Sequence, residues 1–142
     1  AVFAGAAKKE ELLLKQYGFH TGIAFQMADD LLDYTGTRES LGKNPGADMR
    51  EGKLTLPLIH SLANASAEDR AWMEKVILDP EFKSEQFDRL KEKLIQYKGI
   101  EYTCQCAAKH VQKAIACLDD FGDGLSKKFL SMIPIYSIER KG

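Results

Sequence analysis

Three aspartates, Asp29, Asp30 and Asp33, carry the chemistry most open to reading in this chain. On a helical wheel at about 100° per residue, Gly22, Gln26, Asp29, Asp30 and Asp33 share roughly a third of the circumference. Ala24, Phe25, Met27, Ala28, Leu31 and Leu32 fill the remainder. An acidic strip on an otherwise apolar rod needs a positive partner, because a buried carboxylate without one is strongly destabilising. Asp29 and Asp33 lie one turn apart, about 6 Å along the axis at ~1.5 Å per residue, so both can lean toward one hard cation. Magnesium suits that place: it takes carboxylate oxygens, keeps several waters and bridges to phosphate. For the pentapeptide alone, a solvated helix face is the alternative reading.

The next stretch supplies the complementary charge. Thr35 to Lys53 contains Gly36, Gly42, Gly46, Gly52 and Pro45 with few apolar residues, and reads as a long functional loop. It carries Lys43 and Lys53 with Asp48 between them. Lysine is a compact point charge suited to phosphate oxygens, so carboxylates, a cation and lysines together could hold a diphosphate. Taken alone, two loop lysines read as ordinary surface residues.

These groups must be positioned by helices. Apolar residues recur at three- and four-residue spacing almost throughout, and no alternating strand pattern occurs, so the fold class is all-α. Helices are predicted from Val2 to about Gly18 and from Phe19 to about Tyr34. A short one from Leu54 to Leu62 has Pro57 in its first turn. Ser66, with Asp69 three residues on, predicts a capped helix through Ile77. Ser84 predicts another through Gln96, stopped by Gly99. The apolar face of Ala107, Ala108, Val111, Ala114, Ile115 and Leu118 belongs to a helix over Ile100 to Leu118. A last segment, Leu125 to Ile138, should end or kink at Pro134.

Composition narrows the function classes. With 142 residues and 44% hydrophobic content, the chain fits one globular domain with a single packed core. The 20 Lys and Arg against 21 Asp and Glu give a net charge of −1, which offers no long-range attraction to nucleic acid or anionic lipid. Cys104, Cys106 and Cys117 are odd in number and lack paired knuckle spacing, so neither disulfides nor zinc are implied, and a reducing cytoplasm is the expected compartment. No apolar run reaches the ~18 residues needed to span a bilayer. The chain opens on Ala1-Val2-Phe3-Ala4-Gly5-Ala6-Ala7 without methionine, as if cut within a small-residue helix.

Taken together, Gly22-Ile23-Ala24-Phe25-Gln26-Met27-Ala28-Asp29-Asp30-Leu31-Leu32-Asp33, then Gly42-Lys43, Asp48 and Glu51-Gly52-Lys53-Leu54-Thr55-Leu56-Pro57-Leu58-Ile59, resemble the second aspartate-rich region of trans-isoprenyl diphosphate synthases. The likeness continues through Gly99-Ile100-Glu101-Tyr102 and Ala114 with Leu118. It covers most of this chain but only the C-terminal portion of a synthase, and within the family it is strongest to long-chain enzymes of the octaprenyl type. The resemblance implies a homodimeric, isoprenoid-synthase-type helical bundle in which two aspartate-rich motifs face each other across a cavity. Magnesium there holds an allylic diphosphate, pyrophosphate departs, and isopentenyl diphosphate attacks the allylic cation. Carried over residue by residue, Asp29 and Asp33 bind magnesium and Asp30 supports them, while Gln26 orders the neighbourhood of the substrates. Lys43 and Lys53 hold diphosphate oxygens, and Asp29, Asp30, Asp33 and Lys43 form the catalytic set.

The family's first aspartate-rich motif, its upstream basic residues and a lysine-threonine pair have no counterpart in these residues, so the chain by itself is expected to be inactive. Arg140 follows Pro134 where the family has an uninterrupted helix, and product length is not legible. Two competing readings are a non-catalytic subunit and a terpene cyclase. The intact acidic motif with Lys43 and Lys53 argues against the first, and Gly52-Lys53-x-Thr55-x-Pro57 fits chain-elongating synthases better than cyclases. A second acidic triplet, Asp119, Asp120 and Asp123, contains Gly122 and precedes Gly124, so it reads as a solvated helix end. His20, His60 and His110 lack ligand spacing and read as packed or surface residues. The cysteines read as small core residues, and Trp72 and Phe87 as core or interface.

Overall fold

The computed structural model describes residues 4–36 and 46–139. Among the described residues every regular element is a helix: α1 (Lys8–Thr35), α2 (Ala47–Arg50), α3 (Leu56–Asn64), α4 (Ala67–Ile77), α5 (Ser84–Gln96), α6 (Gly99–Ala116) and α7 (Leu125–Glu139). The all-α expectation holds. Two compact units divide the chain, one from residues 1–28 with 105–140, the other centred on residues 29–104.

Local chemistry explains most boundaries. The Ala7 N–H donates to the Glu10 carboxylate at 2.8 Å where α1 starts at Lys8; the predicted start at Val2 lies outside the described residues. Ser66 Oγ accepts the Asp69 N–H at 3.2 Å and caps α4 as predicted. Pro57 sits in the first turn of α3, where its missing N–H has no helical partner to lose. For α5 the cap is Lys83, whose N–H donates to Gln86 Oε1 at 2.8 Å; Ser84 is the first helical residue instead. Lys98 rather than Gly99 takes the left-handed turn that ends α5, with φ +58°.

Gly99 has a different duty. It opens α6, where a Cβ would stand 2.3 Å from both the Pro57 carbonyl oxygen and Ser61 Oγ, so only glycine lets α6 approach α3 this closely.

One predicted interruption does not occur. The expected break at Gly18 is absent, and α1 runs unbroken for 28 residues. Gly18 keeps a negative φ, and its helix-interior cost of about 1 kcal/mol is small beside what a long helix gains from packing at many positions. Pro134 lies inside α7 and is buried, so of the two outcomes expected there the helix does not take the first: it continues to Glu139.

Each unit has its own core. In the second, Tyr34, Met49, Leu58, Met73, Val76, Phe82, Phe87, Leu90 and Leu94 pack together, with Leu90 and Leu94 fully buried on one face of α5. Phe87 is a core residue as expected, while Trp72 lies at the margin under the Arg89 guanidinium, 4.3 Å from its ring centroid. In the first, Tyr17, Ala114, Cys117 and Leu118 pack with Leu14, Phe121 and Leu130. Of the cysteines only Cys117 is buried; Cys104 is exposed, contrary to the core reading, because it falls on the outer side of α6.

Candidate functional site

The acidic run occupies the last two turns of α1, and its three aspartates meet three different surroundings. Asp29 and Asp30 are half-buried, whereas Asp33 exposes no surface. Among the described residues no hydrogen bond or ion pair reaches Asp29. Asp33 Oδ1 accepts the Ala47 N–H at 3.1 Å and Oδ2 accepts the Asp48 N–H at 3.2 Å. The Asp33 carbonyl oxygen also accepts the Gly46 N–H at 3.2 Å. The end of α1 and the start of α2 are therefore joined through one residue.

Asp48 is buried and receives the Lys53 ammonium at 3.0 Å, while Glu51 receives it at 2.7 Å. Glu51 and then Asp48 hold the Lys53 ammonium well above the usual lysine range, so it stays cationic throughout the physiological range. Gly52, with φ +75°, provides the turn between Glu51 and Lys53. Just beyond, the Tyr34 and Thr55 hydroxyls meet at 2.6 Å. Burial pushes the Tyr34 phenol up, the Thr55 bond opposes that, and Asp33, Asp30 and Asp48 add to the rise, so Tyr34 is a neutral hydroxyl.

Several sequence expectations can now be located. Asp29, Asp30, Asp33, Asp48 and Lys53 belong to one unit. Gln26 is exposed on α1 and belongs to the other unit. Lys43 and Arg140 lie outside the described residues, as do positions 37–45 of the predicted functional loop. Within that loop, Gly46 to Lys53 form a turn and the short helix α2. The second acidic triplet lies on a turn, with Asp119, Asp120 and Asp123 exposed; Lys9 pairs with Asp120 at 2.6 Å and Lys127 with Asp123 at 3.2 Å. Its reading as a solvated helix end agrees with this exposure.

Sequence reasoning missed Tyr34 and Thr55 as a pair, although both flank the motifs it singled out. It also missed that His20 and His110, 90 positions apart, bring their Nδ1 atoms to 3.0 Å. Nothing in their local spacing signalled this, because they sit on different helices. His60 stacks on Tyr102 with centroids 4.0 Å apart, a packed role. Among the described residues no group of three or more metal-ligating side chains is preassembled.

Chemically, the arrangement offers a half-buried carboxylate with no partner among the described residues, a second beside it, and a lysine set on a segment hydrogen-bonded to the same helix. Carboxylate oxygens at Asp29 and Asp30 fit a hard divalent cation, and the Lys53 ammonium fits phosphate oxygens.

The profile of the polyprenyl synthetase family matches residues 1–94. An octaprenyl diphosphate synthase from Haemophilus influenzae is 33% identical over 140 residues, which are 99% of this chain and 42% of that protein. The crystal structure of a polyprenyl synthase from Caulobacter crescentus, complexed with calcium and isoprenyl diphosphate, superimposes with a TM-score of 0.91 at 36% identity, over 100% of this chain and 43% of that one. A geranylgeranyl pyrophosphate synthase from Corynebacterium glutamicum, complexed with isoprenyl diphosphate and magnesium, superimposes with a TM-score of 0.87 at 30% identity, over 97% of this chain and 40% of that one. The chain thus spans less than half the length of each of these relatives.

Proposed function

Because the chain belongs to the polyprenyl synthetase family, we propose that it contributes one aspartate-rich half of a trans-prenyltransferase site, where isopentenyl diphosphate is added to an allylic diphosphate and pyrophosphate leaves. The observation that carries the reading is the bonding of Asp33 to Ala47 and Asp48, which ties the acidic end of α1 to the segment bearing Lys53.

In this reading Asp29, with Asp30 beside it and Asp33 closing the run, holds a divalent cation, magnesium by the donor set of hard oxygens. Such a cation, when bound, neutralises charge accumulating on the departing diphosphate. Lys53 exchanges Glu51 and Asp48 for diphosphate oxygens, and its raised basicity keeps it an ammonium while it does so. By the family resemblance, Lys43 joins it in holding diphosphate and Gln26 is a further substrate-binding residue. None of these side chains needs to act as a nucleophile; their contribution is fixed charge around a leaving group. The octaprenyl type, a homodimeric complete protein and a cytoplasmic location complete the proposal, supported by the Haemophilus relative for the first and by family resemblance for the rest.

Binding of magnesium and pyrophosphate to this chain tests the reading directly. Ligand at about 100 times its dissociation constant should stabilise the chain by ~2.7 kcal/mol, seen as a higher melting temperature, and Asp29→Ala should remove the effect. Identical melting with and without both ligands would overturn the proposal.

A further inference from the structure

Asp33 and Tyr34 are consecutive, yet their side chains grip the two ends of one segment. Asp33 binds the N–H groups of Ala47 and Asp48, while Tyr34 binds the Thr55 hydroxyl. Lys53 lies between these anchors. Its N–H donates to the Asp48 carbonyl at 2.9 Å, and its ammonium meets Asp48 Oδ1.

The segment has weak support of its own. Helix α2 is four residues long, too short to persist without tertiary help. Its N-cap is Gly46, which has no side chain with which to bond the first free N–H groups. Gly46 cannot readily be replaced by a capping residue. Its φ is +79°, and a Cβ there would fall 2.7 Å from the Phe87 ring. The acceptors that a serine or aspartate would supply at a helix start come instead from Asp33, on another helix.

The geometry points to Asp33 as a positioning residue: its carboxylate caps α2 from α1 and thereby sets Asp48 and Lys53. This rests on the prenyltransferase reading only for the identity of what Lys53 then holds. The role differs from cation binding in which substitutions it tolerates. Asparagine caps helices about as well as aspartate, but it is a poor substitute for a carboxylate on magnesium. With two N–H groups to satisfy and only one carbonyl oxygen, asparagine at position 33 should keep part of the cap.

Amide hydrogen exchange on this chain, compared across Asp33→Asn, Asp33→Ala and Asp29→Asn, decides the matter, with circular dichroism confirming the helical content of each. Exchange at Ala47 and Asp48 should rise about fivefold or more in Asp33→Ala, rise less in Asp33→Asn, and stay unchanged in Asp29→Asn. In pyrophosphate titrations at varied magnesium, Asp33→Asn should raise the magnesium requirement less than Asp29→Asn does. Unchanged exchange in Asp33→Ala, or a magnesium requirement raised equally by Asp33→Asn and Asp29→Asn, would overturn the assignment. If the unsubstituted chain binds no pyrophosphate, the proposed function fails, and the exchange data alone still accept or reject the cap. Should Asp33→Ala fail to fold, the graded comparison of Asp33→Asn with Asp29→Asn carries the test.

Discussion

The Tyr17 hydroxyl donates to the backbone carbonyl of Leu130 at 2.8 Å, across 113 positions of sequence. Leu130 lies four residues before Pro134, so its carbonyl is the one that an ordinary residue at position 134 would bond. Pro134 has no N–H to offer, and a proline inside a helix destabilises it by about 3 kcal/mol or more. Tyr17 supplies the missing donor. Its phenol is itself pushed up by burial, so it remains protonated and able to donate.

This substitution of donors can be measured. Tyr17→Phe should lower the stability of the chain by about 1 kcal/mol, the usual net worth of one hydrogen bond. In a Pro134→Ala background the loss should shrink, because residue 134 can then bond the Leu130 carbonyl. Equal losses in both backgrounds, read from denaturant unfolding as a double-mutant cycle, would refute the compensation.

Gly99→Ala should be severely destabilising. The added methyl would overlap the Pro57 carbonyl oxygen and Ser61 Oγ at 2.3 Å, and backbone must move to relieve it. Overpacking of this kind costs on the order of 1–3 kcal/mol. Gly122→Ala, where no atom lies within 4 Å of the added carbon, is the control. Similar melting temperatures for the two variants would contradict the close approach of α6 to α3.

His110, whose Nδ1 lies 3.0 Å from that of His20, should make stability depend on pH. Burial holds the His110 imidazole below its ordinary range, and His20 and Lys113 push the same way. Its folded value is below its unfolded value, so the unfolded chain binds the proton more readily, and stability falls as pH drops below about 6.5. Thermal unfolding between pH 7.5 and 5.5 should show this slope, and His110→Gln should flatten it. Parallel curves for the two proteins would exclude His110 as the cause.

Legibility followed the range of the interactions involved. The starts of α3 and α4 were readable because Pro57, Ser66 and Asp69 act within one turn. The acidic run was readable because helical period alone puts Asp29, Asp30 and Asp33 together. The break expected at Gly18 did not occur, since a glycine's intrinsic preference is weak against packing along the whole of α1. That α7 does not end at Pro134 has a related reason: the rule that proline ends a helix assumes no other donor for the orphaned carbonyl, and Tyr17 lies far away in sequence. His20 and His110 gave no local sign at all.

By itself, the sequence determined the helical class, the family resemblance and the carboxylate and lysine types from which the site is built. These depend on residue chemistry and on a repeat of three to four positions, both present in the linear string. Only the tertiary structure decided that Asp33 is fully buried against the backbone of Ala47 and Asp48 while Asp29 stays half-exposed. Three aspartates with the same chemistry thus have unlike surroundings. Asp33 meets Ala47 and Asp48 at separations of 14 and 15 positions, and hydrogen bonds between segments more than a turn apart leave no periodic trace in the sequence.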